Sequence, residues 1–171
     1  MIRPMTSKDI AYVQQIAHET WLQTYAGIIP QELQTRFIDR TYSDMMLMKR
    51  MEKTTMLIAE SNGVPIGFAN FTMVDDDGDS ELTAMYVLPA FQRSGFGKQL
   101  TQTAFATLAD AKQLFVYIDE QNIPGRTFYE QQGFQLVDTF SETFEGYPVE
   151  TAQYVYVFPT SISSKSLESI S

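Results

Sequence analysis

The chain has 171 residues, enough for one domain with a packed core, and 44% of them are hydrophobic and 13% aromatic. Its net charge of −9, from 21 acids against 12 bases, argues against nucleic acid as a partner, because that affinity rests on neutralising phosphates with Lys and Arg. The lack of cysteine excludes disulfides and thiolate metal sites, and the single histidine, His18, argues against a zinc site and against a histidine base.

No apolar run approaches the ~20 residues of a membrane span, and the opening MIRPMTSKD has no signal-type apolar segment. A soluble, cytoplasmic protein with no membrane role is expected.

Ile2 and Arg3 predict a short first strand. Thr6 or Ser7 caps a helix on which Ile10, Val13, Ile16, Ala17 and Trp21 recur at helical spacing. Gly27 and Pro30 break the chain, and Pro30 opens a second helix through Leu33 and Phe37. Ser43 or Asp44 caps a Met-rich third helix from Met45 to Met51.

The period then shortens to two. Thr54 to Glu60 and Ile66 to Val74 read as strands joined by Asn62-Gly63, a strong hairpin signal. A polar turn, Asp75 to Ser80, leads to a strand from Glu81 to Leu88 that Pro89 stops. Gly97 to Ala111 reads as a helix, Gln113 to Ile118 as a buried strand, and Pro124 to Gln132 as a short helix closed by Gly133. Phe134 to Phe140 and Thr151 to Phe158 complete the set as strands. These elements predict an α/β (α+β) domain over 1–158, with helices flanking one mixed, mostly antiparallel central sheet. A Ser-rich tail, 159–171, follows.

The most informative stretch is Glu81 to Leu100: strand, glycine turn, helix. A helix N-terminus offers free N–H groups and the positive end of its dipole. Gly95 and Gly97 let the backbone approach a phosphate without a Cβ in the way. Arg93 and Lys98 flank the turn with positive charge.

The run Gln92-Arg93-Ser94-Gly95-Phe96-Gly97 fits Q/R-x-x-G-x-G/A, and it sits after a strand and before an amphipathic helix. Asn122 follows about thirty residues on, then FYEQQGF from Phe128 to Phe134. This set resembles the GCN5-related N-acetyltransferase (GNAT) family, which uses acetyl-coenzyme A. The resemblance covers roughly Thr54 to Phe158 and implies the acyl-CoA N-acyltransferase fold.

It also implies roles. Gln92, Arg93, Ser94, Gly95, Phe96, Gly97 and Lys98 would wrap the pyrophosphate. The backbone of Met85, Tyr86 and Val87 would pair with the pantetheine arm in a gap before Leu114 to Ile118, and an N–H near Met85 and Tyr86 would meet the thioester oxygen. Asn122 would contact the arm or cap a helix, and Phe128 would pack over the coenzyme. Tyr129 stands where many members place a general acid.

An ammonium cannot attack a thioester, so a base or water is needed. Glu81 is the candidate, placed on the same face as Val87 by period two. Trp21 and Tyr25 would line the acceptor pocket. Asp75, Asp76, Asp77 and Asp79 are read either as a solvated turn or as carboxylates near the mouth that hold an amine. Arg126 would reach the phosphates or face solvent, and Pro124 would start its helix late, which loosens the Asn122 contact.

The expected activity is acetyl transfer to a primary amine (small amine, polyamine or protein N-terminus) by direct attack, without metal. The alternative is a non-catalytic acyl-CoA-sensing or protein-binding module of the same fold. Tyr154, Tyr156 and Phe158 would serve a homodimer interface or pack within one subunit.

Overall fold

A computed structural model describes residues 1–159; the tail expected over 159–171 falls almost entirely outside them. Seven strands form one sheet in the order β1-β2-β3-β4-β5-β7-β6. They are β1 (Ile2–Pro4), β2 (Thr55–Ser61), β3 (Val64–Phe71), β4 (Asp79–Val87), β5 (Gln113–Asp119), β6 (Gln135–Phe144) and β7 (Tyr147–Val157). Only β4 and β5 run parallel. The helices are α1 (Ile10–Tyr25), α2 (Gln31–Thr41), α3 (Asp44–Lys53), α4 (Phe96–Thr107) and α5 (Ile123–Gln131). Among the described residues, no helix is long and apolar enough to cross a membrane.

Side-chain alternation gives the sheet two apolar faces. Met56, Ile58, Phe68 and Ala84 pack on Val13, Ile16, Ala17, Ile38 and Leu47 of α1–α3. Leu57, Ala59, Ala69, Phe71, Leu82 and Leu114 pack on Leu100, Ala104 and Tyr129 of α4 and α5. Each such large side chain contributes about 1.5–3 kcal/mol when fully buried.

The expected signals act as read at several joints. Asn62 and Gly63, both at positive φ, turn β2 into β3. The Ser43 hydroxyl accepts the Met46 amide and caps α3. Thr6 and Ser7 do not cap α1 as expected: they head a short turn, Ser7–Asp9, and Asp9 stands at the N-cap of α1, accepts the Thr6 amide and pairs with Arg3 at 2.8 Å.

Three further expectations change. β6 and β7 run to Phe144 and from Tyr147, well beyond the strands expected, because Glu145 and Gly146 both adopt positive φ and close a two-residue hairpin. That hairpin carries Phe144 onto Trp21 and Phe37. Asn122 caps α5 directly and Pro124 lies in its first turn, so the helix does not start late. Tyr154, Tyr156 and Phe158 pack inside the chain, where Tyr156 stacks on Phe105 at 4.0 Å; this takes away the aromatic rationale for a homodimer interface.

Candidate active site

β4 and β5 are paired only from Asp79–Gln113 to Leu82–Val116. Beyond Leu82 the strands diverge: β4 stays on β3 through Val87, and β5 stays on β7 through Asp119. The divergence leaves a gap between Met85–Val87 and Tyr117–Asp119. The Leu88 amide donates to Ile66 O at 2.8 Å. In an antiparallel pair the bonded residues alternate, so Ala84 and Tyr86 also bond toward β3 and the amides of Met85 and Val87 face the gap. The expected backbone contact at Tyr86 is therefore corrected: its N–H and C=O belong to the β3 ladder, opposite Phe68.

The Val87 carbonyl is already taken, since Gln92 Nε2 donates to it at 2.9 Å and to Gln23 Oε1 at 3.1 Å. Gln92 is thus a brace that ties the turn to β4 and α1. Past it, the amides of residues 93 to 98 find no acceptor among the described residues, the first helical bond being Gln99 N–H to Gly95 O at 3.0 Å. Arg93 (φ 63°) and Gly95 (φ 90°) hold left-handed backbone and curl these amides into a nest at the head of α4. Gly95 has open space where a Cβ would stand, whereas a Cβ on Gly97 would lie 3.3 Å from the Phe128 ring. A pocket of free amides, flanked by Arg93 and Lys98 and continuous with the gap, fits a phosphate-bearing cofactor with an amide-containing arm.

α5 brings the next group. The Asn122 side chain accepts the Gly125 amide at 3.1 Å through Oδ1, which leaves its amide nitrogen for another acceptor. A Cβ on Gly125 would come within 2.5 Å of Ile118 Cδ1 and 2.7 Å of Asn122 Nδ2, so both side-chain ends, including the Asn122 cap, would have to shift. Arg126 is held by the chain itself: Nε donates to Tyr154 Oη at 2.9 Å and Nη1 to Glu120 O at 3.1 Å. Tyr129 is 7% exposed, with its ring against Phe128 and Phe134. Burial and the nearby Tyr86 phenol push its pKa above the usual value, so it keeps its proton at neutral pH. Its hydroxyl makes no hydrogen bond among the described residues.

The α1 side supplies aromatic walls. Trp21 Nε1 donates to Tyr86 Oη at 3.0 Å. Trp21 is itself packed on Tyr25 (4.5 Å between ring centroids) and Phe37 (4.8 Å). It is a buried brace behind the wall, and Tyr25 is the more open of the two. Burial raises the Tyr25 pKa well above the ordinary phenol value, and the Tyr86, Asp119, Tyr129 and Tyr42 groups add to the effect.

Glu81 sits differently from its expected place. Thr83 is an extra residue, bulged between the Phe71–Leu82 and Asn70–Ala84 pairs. The bulge inverts the alternation: Leu82 packs with the α4 face, yet Ala84 packs with the α1 face. Glu81 therefore points to the α1 face, and Val87 to the α4 face, so the two do not share a side. Burial raises the Glu81 pKa. The Asp75–Asp79 turn is not at the mouth of the gap. It lies at the paired end of β4, where Asp75 Oδ1 accepts the Asp77 and Asp79 amides at 2.9 Å. His18 lies on α1 beside Asp39 at 3.2 Å.

Sequence reasoning missed Asp119, Tyr117, Phe37 and Phe144. The period-two set Phe115, Tyr117, Asp119 held the signal for the first two. The other two depend on the hairpin turn at Glu145-Gly146.

Residues 13–134 match the model of the Acetyltransferase (GNAT) family. A spermidine N(1)-acetyltransferase of Thermoplasma acidophilum is 27% identical over 151 residues, covering 84% of this chain and 92% of that protein. The crystal structure of the PaiA N-acetyltransferase from Thermoplasma acidophilum in complex with coenzyme A superposes with a TM-score of 0.81 at 24% identity, covering 92% of this chain and 98% of that one. A ribosomal-protein-alanine N-acetyltransferase structure from Brucella melitensis gives 0.68 at 18% identity, with 92% and 99% covered. With the nest, the diverging strands and a family match over most of its length, the chain belongs to the GNAT acetyltransferase family and is an acyltransferase.

Proposed function

We propose that the protein transfers an acetyl group from acetyl-coenzyme A to a primary amine, of the small-amine or polyamine kind, by direct attack. The observation that carries this reading is the gap between β4 and β5, which opens beside six unpaired amides at the head of α4. Acetyl-coenzyme A supplies the acetyl group as an activated thioester. The amides of residues 93 to 98 hold the phosphates, and those of Met85 and Val87 hold the arm and the thioester oxygen. Asn122 binds the arm through its free amide nitrogen, and Phe128 covers the turn.

The amine enters from the α1 face, past Tyr25. Glu81, directly or through a water, takes the ammonium proton, and its raised pKa makes it a better base than an exposed carboxylate. The Tyr129 hydroxyl gives a hydrogen bond or its proton to the departing sulfur. The similarity to a spermidine N(1)-acetyltransferase supports the polyamine class over a protein N-terminus.

Calorimetric titration of acetyl-coenzyme A, followed by amine-dependent thiol release, tests the reading. Micromolar binding that is lost in Gly95→Glu, together with turnover on an amine, is the expected result. A folded protein that binds but releases no thiol with any amine would instead be the non-catalytic module.

A further inference from the structure

Helices α1 to α3 cover only part of their face of the sheet. The hairpin end of β6 and β7 meets α1 and α2 through Phe144 and Val149, but among the described residues the rest of β5, β7 and β6 on this face carries no helix, and its register defines a row of side chains. Phe115 lies opposite Val155, and Tyr117 opposite Gln153, which lies opposite Asp138. Phe140 faces Thr151, and Glu142 faces Val149. Tyr117 is 44% exposed although it is aromatic and mid-strand. Its ring meets Phe140 edge-on at 6.4 Å, and its hydroxyl accepts from Gln153 Nε2 at 3.3 Å.

The strand charges of this face have one sign, and Arg36 and Arg40 of α2 act on Glu145 at its hairpin end. Gln113–Asp119, Gln135–Phe144 and Tyr147–Val157 contain Asp119, Asp138, Glu142 and Glu150 and neither Lys nor Arg. Tyr117 feels Glu81 from one side and Glu142 from the other, and with burial they raise its pKa. Glu150 is turned away, since it accepts from Ser141 on the opposite face.

The face is also continuous with the gap. Tyr117 is the first β5 residue past the last β4 pairing, on the same side as Glu81. Two strand spacings of about 4.8 Å separate β5 from β6, and the gap lies on the far side of β5, so the span from gap to β6 is about 12 Å, which a triamine covers only when fully extended.

We propose that this open face is the binding track for the distal ammonium groups of a linear polyamine, resting on the acetyltransferase reading above. The reacting nitrogen lies at the gap beside Glu81. The methylene chain crosses Tyr117 and Phe140, the far ammonium meets Asp138, and Glu142, further along β6, adds to the negative field. Aromatic faces and carboxylates together bind such cations better than either alone.

The test compares spermidine with n-butylamine as acceptors, in the full-length protein and in Asp138→Asn/Glu142→Gln. Both positions are exposed and make no ion pair among the described residues, so the fold tolerates the change. The expected result is a three- to tenfold rise in KM for spermidine with kcat kept, and unchanged kinetics with butylamine. Spermidine titrated calorimetrically into the coenzyme A complex should bind more weakly at 300 mM than at 50 mM salt, and more weakly in the double variant. An unchanged spermidine KM, or an equal change for both amines, overturns the track. If no amine is acetylated the function reading fails, and the titration still decides: binding that the variant weakens keeps the track, and no binding removes it.

Discussion

Replacing Tyr129 by Phe isolates the proposed acid from the structure around it. The ring is buried among Phe128, Phe134 and the α4 face, and Phe keeps every one of those contacts. The deleted hydroxyl has no partner among the described residues, so its removal leaves no orphaned group and should change stability by less than about 1 kcal/mol. General-acid assistance is worth about 10²–10⁴ in rate, or roughly 3–5 kcal/mol of barrier. The raised pKa places Tyr129 in its protonated form across the working range.

Single-turnover thiol release should therefore fall at least a hundredfold in Tyr129→Phe, with acetyl-coenzyme A affinity and thermal midpoint unchanged. A donor with a more acidic thiol leaving group should narrow the deficit. A rate within fivefold of the parent, with chemistry limiting, refutes the assignment and leaves Tyr129 as packing.

Asp9→Asn breaks a bidentate pair in which Asp9 meets Arg3 Nη1 and Nη2 at 2.8 Å, and should cost about 2–4 kcal/mol in urea denaturation. Arg3 holds the Asp9 pKa below its unfolded value. That stability is present above pH ~4 and is lost as pH falls through the folded pKa. The variant should lack this acid limb, and an identical acid profile would contradict it. Burial raises the phenol pKa values of Tyr42 and Tyr129, so unfolded chains ionise first on the alkaline side. Stability should hold to about pH 10 and then fall by about 1.4 kcal/mol per pH unit for each such phenol. A flat stability profile to pH 11, or ionisation of all nine tyrosines near pH 10 by ultraviolet absorbance, would rule this out. Gly125→Ala drives a Cβ against Ile118 and Asn122 and should lower stability by about 1–3 kcal/mol while weakening coenzyme binding. An unaltered thermal midpoint and dissociation constant would show that α5 shifts at no cost.

Much of this architecture was legible because it is local. Asn62-Gly63 dictates its own turn, and Gly95 and Gly97 after a strand announce the nest. Features fixed by pairing between distant segments were not legible. Glu145 has no intrinsic preference for positive φ, so nothing in SETFEGYP marks a tight hairpin. Nothing local therefore sets Phe144 against Trp21, which it touches. Arg126 was read as reaching the phosphates or facing solvent, and its partners, Tyr154 and Glu120 O, were not legible because they are set by how α5 docks.

The bulge at Thr83 ties these points to function. A regular strand would repeat every two residues and put Glu81 with Val87, on the α4 face where the coenzyme turn begins. One inserted residue reverses the phase below it, so a single strand serves both sides of the sheet. Met85 and Val87 present amides to the gap and side chains to the α4 face, while Glu81 presents its carboxylate to the α1 face. The bulge also lies one residue beyond the last β4–β5 pair, at Leu82 and Val116, where the strands separate. The opening of the gap and the turning of Glu81 toward the α1 face thus arise within the same two residues. Deleting Thr83 should restore the phase, send Glu81 to the wrong face, and abolish amine turnover more severely than Glu81→Gln does.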